Sequence, residues 1–259
     1  MDGISTPYCV KLPDRGLIHL EGADRHEFLQ ALISNDMNKL KSGKALYACL
    51  LTPQGKFLHD FFIHEGDGFL LMDCEGGERA QDLFKRLNMY RLRKDVQLSV
   101  EEHNDVYAVF GQDSGVPDPR HTDMGYRSFE KPEVEERPFE VWDRHRIALT
   151  IPDGSRDIVI ERSTLLECGL DHLHAIDWDK GCYMGQELTA RMHYRGLAKK
   201  HLYTVHNKNK GENLAEAFTK LDNGMEMRSS CGDIGLALLK DDEAEKLKDD
   251  DGTIRILGL

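Results

Sequence analysis

The sequence lacks the features that would place it in or across a membrane. No apolar run approaches the roughly 20 residues needed to span a bilayer. The N-terminal stretch MDGISTPYCVKLPD has neither the apolar segment of a signal peptide nor an Arg-rich amphipathic leader. These absences predict a cytoplasmic protein with no membrane association.

Basic residues are too few to balance the acidic ones. The 259 residues include 34 Lys and Arg against 46 Asp and Glu, so the formal net charge is −12. Because nucleic-acid-binding proteins usually present a basic face, this balance argues against a nucleic-acid partner. The short basic run at residues 90–94 is predicted to be the solvated end of a helix.

Paired cysteines and glycine-rich catalytic motifs are also absent. The six cysteines, at positions 9, 49, 74, 168, 182 and 231, contain no Cys-x-x-Cys pair, so neither a disulfide framework nor a zinc knuckle is indicated. Phosphate-binding glycine loops and a Gly-x-Ser-x-Gly elbow are missing. Cys168, His172, His174 and Cys182 lie close together, but their spacing fits no structural zinc pattern, and we predict no metal site there.

The hydrophobic pattern predicts strands and helices that mix without regular β-α-β alternation. Strands are predicted at residues 17–20, 45–51, 56–64, 69–73, 96–100, 106–110, 146–151, 201–206 and 254–257. Helices are predicted from a capping box at Asp24, at 78–90, at 158–170, after Gly185, and as an acidic helix or loop at 241–251. Residues 112–137 are rich in Pro, Gly and charge and are predicted to form long loops. This mixture is typical of an α+β fold.

The most informative stretch is the octapeptide at residues 180–187, Lys-Gly-Cys-Tyr-Met-Gly-Gln-Glu. Cys182 lies between two glycines, which indicates a tight turn or the close approach of another group. Good helix formers follow, so the turn is predicted to lead into a helix. The helix N-terminus and Lys180 both favour the thiolate, which is the reactive and metal-binding form of cysteine. From the residues alone, a small buried cysteine in a tight turn is equally compatible.

The octapeptide, followed by Ala190-Arg191 and Arg195-Gly196, resembles the signature of the YgfZ family of folate-binding proteins. That family includes a mitochondrial iron–sulfur assembly factor and is related to the aminomethyltransferase, or T-protein, of glycine cleavage. An eight-residue string with fixed Gly, Cys, Gln and Glu is a specific match.

Three further segments resemble the family in order and spacing. They are residues 17–36 (LIHLEGADRHEFLQALISND), 47–60 (YACLLTPQGKFLHD) and 146–154 (RIALTIPDG). The resemblance covers residues 8–205 and fades after them.

The resemblance implies an α+β, aminomethyltransferase-like fold around a central hole that accepts folate. Residues 1–200 would form two intertwined subdomains, and residues 201–259 a small C-terminal β-barrel. The implied function is that of a folate-binding accessory protein, with tetrahydrofolate as cofactor, that supports assembly or repair of iron–sulfur clusters in client enzymes. Its partners would be folate and iron–sulfur assembly or client proteins.

In this interpretation Cys182 is the functional thiol, and Lys180 stabilises its negative charge. Cys182 would ligate a cluster only transiently, because clusters generally need four protein thiolates. The other motif residues would orient the loop: Gly181, Tyr183, Gly185, Gln186, Glu187 and Arg191.

Four residues outside the motif are implied in folate binding. Arg15 and Arg146 occupy positions that face the central channel, where at least some family members have tryptophan. A guanidinium can stack on a pterin or pair with the carboxylates of folate, but each arginine can equally be a structural ion-pair partner. Asp36 and Asp60 occupy positions where a carboxylate of raised pKa would act as a base or bind a pterin. The residues by themselves favour a structural role for both aspartates.

Two alternatives stay open. One is a tetrahydrofolate-dependent one-carbon transferase, against which the Lys-Gly-Cys-Tyr signature and the shorter chain argue. The other is a thiol redox protein in which Cys182 reacts alone, without a resolving cysteine nearby in the sequence. An accessory factor without enzymatic activity is favoured over both.

Overall fold

The computed structural model of the protein describes residues 6–101, 105–209, 212–221, 224–248 and 254–258. The strands in these residues are β1 (Tyr8–Leu12), β2 (Arg15–Glu21), β3 (Ala45–Leu51), β4 (Phe57–Glu65), β5 (Phe69–Glu75), β6 (Gln97–Val100), β7 (Val106–Phe110), β8 (Val116–Pro117), β9 (Tyr126–Ser128), β10 (Glu135–Arg137), β11 (Lys200–Asn207), β12 (Glu226–Cys231), β13 (Ile234–Lys240) and β14 (Ile254–Gly258). The helices are α1 (Arg25–Gln30), α2 (Gly77–Arg91), α3 (Phe139–Ala148), α4 (Gln186–Arg195) and α5 (Asp241–Lys248). The predicted mixture of helix and sheet is confirmed.

The first sheet is antiparallel, with the strand order β3-β4-β5-β2-β6, and it is covered on both faces. Helices α1 and α2 pack on one face, where they bury Phe61 and Ile63 of β4. On the other face, Phe57 and Phe62 join the core shared with the second sheet. Because successive side chains of a strand point to opposite faces, a strand covered on both sides must bury the side chains of both faces, including polar ones such as His59 and Asp60. That requirement accounts for the unbroken burial of β4 from Phe57 to His64.

The second sheet faces the first across the largest core. Its order is β10-β1-β7-β9-β8, and only β1 and β10 among its pairs run parallel in the described residues. Val10, Val106 and Phe110 of this sheet meet Tyr47 and Phe62 of the first. A small central cavity lies between these two layers.

The third sheet contains the C-terminal strands in the order β12-β13-β11-β14, all antiparallel. The described residues form an open sheet whose outer strands, β12 and β14, do not pair with each other, so the predicted C-terminal barrel is not confirmed. The sheet has its own small core around Tyr203, Met227 and Ile256, while Leu202 belongs to the core of the first two sheets. The division of the chain at residue 200 stays a prediction.

Two predicted elements differ in the structure. Residues 146–151 are not a strand, because Arg146 lies in α3, which follows Pro138 and buries Trp142 and Arg146 four residues apart on one face. Residues 158–170 form turns with a single 3-10 segment, Leu166–Cys168, that ends at the left-handed Gly169. No helix in the described ranges is both long and apolar enough to cross a membrane.

The predicted capping box at Asp24 does not form either. The side chain of Asp24 caps no N–H of α1 and instead accepts a hydrogen bond from the backbone of Asp95 at 2.9 Å. Helix α1 is also shorter than its apolar pattern indicates, since it ends at Gln30. A hydrogen bond from Asp95, far along the chain, therefore replaces the predicted cap within α1.

Candidate functional site

Lys180 anchors the start of the octapeptide, which we call the signature loop (residues 180–187). Its Nζ donates hydrogen bonds to the carbonyl oxygens of Gln30, Ile33 and Asn35 at 2.8, 2.7 and 2.8 Å. Burial lowers the pKa of Lys180 to about 8, while the nearby carboxylates of Asp36 and Asp177 act to raise it. An ammonium has three N–H donors, so none remains for Cys182. Lys180 is therefore a structural anchor that makes no hydrogen bond to Cys182, and the effect of its charge on the thiolate stays a prediction.

Gly185 anchors the other end of the signature loop. It precedes α4 with a φ of +82°, and a Cβ on it would lie 2.5 Å from the carbonyl oxygen of Thr52. Gly55, in the turn between β3 and β4, has a φ of +79°, and a Cβ there would lie 2.7 Å from the carbonyl oxygen of Gly185. Only glycine fits both the backbone conformation and this approach. Gly181, by contrast, faces open space.

Cys182 is exposed, between these two anchors. Tyr183 beside it is buried, with its ring centroid 5.0 Å from Lys180 Nζ, and the N–H of Met184 donates to the carbonyl of Ala31 at 3.3 Å. The thiol is thus presented to solvent on a backbone that is fixed on both sides. The alternative prediction, that Cys182 is a small buried cysteine in a tight turn, is wrong because the residue is exposed.

The other five cysteines differ from Cys182. Cys9, Cys49, Cys74 and Cys168 are buried, and Cys231 is partly exposed. Burial raises the pKa of both Cys74 and Cys168 to about 12, so these thiols stay protonated. In the described residues, no group of three or more His, Cys, Asp or Glu side chains is arranged to hold a metal ion.

Helix α4 carries the remaining motif residues and an aromatic cluster that sequence reasoning missed. Gln186 is half-buried, and Glu187 and Arg191 are exposed, so their part in orienting the loop stays a prediction. Trp178 stacks on His193 with ring centroids 3.8 Å apart, and Tyr194 beside it is 72% exposed. In the sequence, Trp178 two residues before the motif was the feature that could have indicated this aromatic cluster.

Asp60 lies at the small central cavity between the first two sheets. Its Oδ2 accepts a hydrogen bond from the Tyr47 hydroxyl at 2.8 Å, whereas its buried Oδ1 has no hydrogen-bond partner. Burial, together with the nearby Glu75 carboxylate, raises the pKa of Asp60 to about 6. The pKa of Asp60 is therefore clearly perturbed by its surroundings.

Three arginines fill the space beside Asp60. The guanidinium carbons of Arg127, Arg120 and Arg15 lie 3.9, 4.8 and 5.8 Å from the centroid of the Phe62 ring. They are held by ion pairs: Asp73 binds Arg15 at 2.7 Å and also binds Arg127, and Asp118 binds Arg120 at 2.7 Å. Burial acts to raise the pKa of Asp73, but Arg127 and Arg15 hold it below its ordinary value.

The arginines leave little free volume in the central cavity. Its volume is about 10 Å³, roughly that of one water molecule. Arg120 and Arg127 come from the region at residues 112–137 that was predicted to be loops, and no motif marks them. Beyond Arg15 and Asp153 the cavity meets an outer cleft of about 460 Å³.

Arg146 and Asp36 lie outside this cavity, contrary to expectation. Arg146 is fully buried and donates to Asp143 and Asp157, both at 2.7 Å, and to the carbonyl of Ile151 at 3.0 Å. Asp36 caps the 3-10 segment Met37–Lys39 and accepts a hydrogen bond from Gln30 at 2.9 Å. Both side chains are used inside the fold, so only Arg15 and Asp60 of the four predicted folate residues line the cavity.

The architecture matches a solved structure of an aminomethyltransferase. The crystal structure of the glycine cleavage system aminomethyltransferase T from Bartonella henselae superimposes with a TM-score of 0.70 over 96% of this chain and 81% of that one. The sequence identity is 15%, so the likeness defines the fold. The chain therefore has the aminomethyltransferase T fold.

Sequence comparison finds a narrower set of similar proteins. It is 32% identical over 230 residues to the mitochondrial iron–sulfur cluster assembly factor IBA57 homolog of Mycosarcoma maydis, a match of 76% of this chain and 57% of that protein. It is 29% identical over 235 residues to human mitochondrial IBA57, a match of 76% of this chain and 65% of that protein. The chain thus spans between about half and two thirds of the length of these relatives. No protein-family model matches it.

The chain is a homologue of the IBA57 iron–sulfur cluster assembly factors, and the resemblance to the YgfZ family and its relatives is confirmed. The predicted cytoplasmic location is wrong, because these relatives are named as mitochondrial proteins. The N-terminal composition on which that prediction rested does not decide the compartment.

Proposed function

We propose that the protein is an iron–sulfur cluster assembly factor in which Cys182 is the working thiol. The observation that carries the proposal is the exposed Cys182 on a loop fixed by Lys180 and Gly185. A fixed backbone keeps the thiol in one place, so little conformational entropy is lost when the sulfur binds a cluster iron. The homology to IBA57 proteins supports the same assignment.

Cys182 contributes one ligand, and a cluster generally needs four. Since no other metal-ligating group is assembled in the described residues, the remaining ligands come from a partner protein or from glutathione. Exposed apolar residues on and just after α4 suit such an encounter: Tyr194 is 72% and Leu197 45% exposed. Aromatic residues are enriched at protein interfaces, and these two lie at the C-terminal end of the helix that begins in the signature loop.

Folate does not enter this proposal, because the side chains of the central cavity do not fit it. A pterin is far larger than the one water molecule that about 10 Å³ can hold, and Arg120 and Arg127 are fixed there by Asp118 and Asp73. The unpartnered Oδ1 of Asp60 is the one feature in favour of a one-carbon transferase, yet it lies at this same small cavity. We therefore derive no step through tetrahydrofolate.

Complementation tests the role of Cys182. In a strain that lacks its own homologue, the wild-type protein is expected to restore the activity of iron–sulfur enzymes, and Cys182→Ser is expected to lose most of that activity. Cys231→Ser is the matched control, since Cys231 is the other cysteine with solvent access. Thermal unfolding of the purified variants establishes that both are folded. Full rescue by Cys182→Ser would contradict the role of the thiol, and failure of the wild type would contradict the assembly function.

A further inference from the structure

A second cleft lies between the C-terminal sheet and the turns at residues 155–167. It has a volume of about 680 Å³ and opens to solvent. That volume is within the range of sites that bind small organic molecules. Strands β12 and β13 supply one wall, and Ile158 and Ile160 supply apolar surface on the other.

Arg228 of β12 is the central group of this cleft. Its side chain is only 5% exposed, and its Nη2 pairs with Glu226 at 3.2 Å. Its Nη1 is buried and has no hydrogen-bond partner in the structure. A buried N–H on a charged group is costly to leave unsatisfied, and such a group usually marks a missing partner. The missing partner must be a hydrogen-bond acceptor, and a negatively charged one forms the strongest bond.

The charge of the cleft agrees with an anionic ligand. Its lining contains four cations and two carboxylates, although the whole chain has a net charge of −12. The cations are Arg162, Lys200, Lys220 and Arg228, and the carboxylates are Glu167 and Glu226. Lys200 is paired with Glu167 at 3.4 Å, and Glu226 with Arg228, so the excess of positive charge falls on Arg162 and Lys220.

Phe218 gives the cleft an aromatic surface. Its ring centroid lies 5.4 Å from the guanidinium carbon of Arg228, and the residue is 47% exposed. Its φ of +62° is uncommon for a bulky residue, and its N–H donates to the carbonyl of Met227 at 2.7 Å. Backbone strain of this kind persists where surrounding contacts hold a side chain in a particular position. Here the position puts an exposed ring beside the unsatisfied arginine.

We propose that this cleft binds a small organic anion, with an aromatic or apolar body and a carboxylate or phosphate head group. The head group accepts a hydrogen bond from Nη1 of Arg228 and is attracted by Lys220 and Arg162. The body packs on Phe218 and on the apolar wall that includes Ile158 and Leu238. This site is independent of Cys182 and of cluster chemistry.

Calorimetric titration at low salt tests the site with four probes: benzoate, phenyl phosphate, inorganic phosphate and the neutral benzyl alcohol. We expect saturable binding of benzoate or phenyl phosphate, and the stronger of the two identifies the head group. Arg228→Met should weaken that binding at least tenfold, and Lys220→Met several-fold. Arg93→Met, which removes an exposed cation outside the cleft, should leave it unchanged.

Several results would overturn the proposal. These are no saturable binding of either aromatic anion, benzyl alcohol binding as tightly as benzoate, or equal affinity in the wild type and Arg228→Met. If Arg228→Met does not fold, Lys220→Met and Phe218→Ala decide the matter, because both residues are exposed. Unchanged affinity in both of these variants then refutes the site.

Discussion

The raised pKa of Asp60 leads to a specific dependence of stability on pH. The carboxyl holds its proton with a pKa of about 6 in the folded protein, against an ordinary value of 3.8 in the unfolded chain. Ionisation above pH 6 therefore penalises the folded state, and the penalty falls as the pH drops from 6 towards 3.8. Two units of difference correspond to about 3 kcal/mol at pH 8 and about half of that at pH 5.

The variant Asp60→Asn isolates this contribution, because asparagine has nearly the same shape and does not ionise. The unfolding free energy of Asp60→Asn minus that of the wild type should be larger at pH 8 than at pH 5. We expect this difference to fall by about 1.5 kcal/mol when the pH is lowered from 8 to 5. Urea denaturation of both proteins at several pH values measures this difference. Burial also lowers the pKa of His59 and His64 to about 4, but both proteins share these groups and their effect cancels.

A difference in unfolding free energy that stays constant between pH 8 and pH 5 would refute the reasoning. So would a trend of opposite sign, in which the wild type gains on Asp60→Asn as the pH rises. A constant difference would mean that the folded pKa of Asp60 is ordinary, and the opposite trend would mean that it is depressed, with its Oδ1 solvated or paired in solution.

Two further predictions concern the anchor of the signature loop and the closed cavity. Gly185→Ala should destabilise the protein by at least about 2 kcal/mol in urea denaturation, because the φ of Gly185 is +82° and a Cβ there would meet Thr52. Gly181→Ala is the control, since Gly181 faces open space and the change should have little effect. Equal effects of the two substitutions would contradict the proposed contact of Gly185. Titration with tetrahydrofolate, followed by protein fluorescence, should show no saturation, since the arginines on Phe62 leave about 10 Å³; saturable binding would show that they move aside.

The pattern of apolar residues in the sequence correctly predicted several helices and strands. Helix α2 lies within about one residue of its predicted bounds, and β3 and β7 match theirs. The pattern was wrong at residues 146–151, because the alternation of R-I-A-L-T-I also fits the end of a helix that buries Arg146 among carboxylates. The strand β1 was not indicated at all, since its burial depends on pairing with the distant β7 and β10.

The sequence by itself marked the position of the signature loop and singled out Gly181 and Gly185, of which only Gly185 closely approaches another backbone. The octapeptide and the Thr-Pro-Gln-Gly turn are separate in the chain, yet both carry a glycine that the other's backbone requires. A glycine in a motif can indicate such a requirement, because only a residue without a side chain lets two backbone segments approach this closely.

Only the tertiary structure decided what the charged residues do. Lys180 binds three carbonyls instead of the thiolate, and Arg120 and Arg127 close a cavity that the family resemblance left open. The pairing of a long charged side chain and the pKa of a buried carboxyl depend on groups brought together from distant parts of the chain. Sequence spacing carries no record of those distances, so the exposed Cys182, the closed cavity and the unsatisfied Arg228 emerge only from the folded chain.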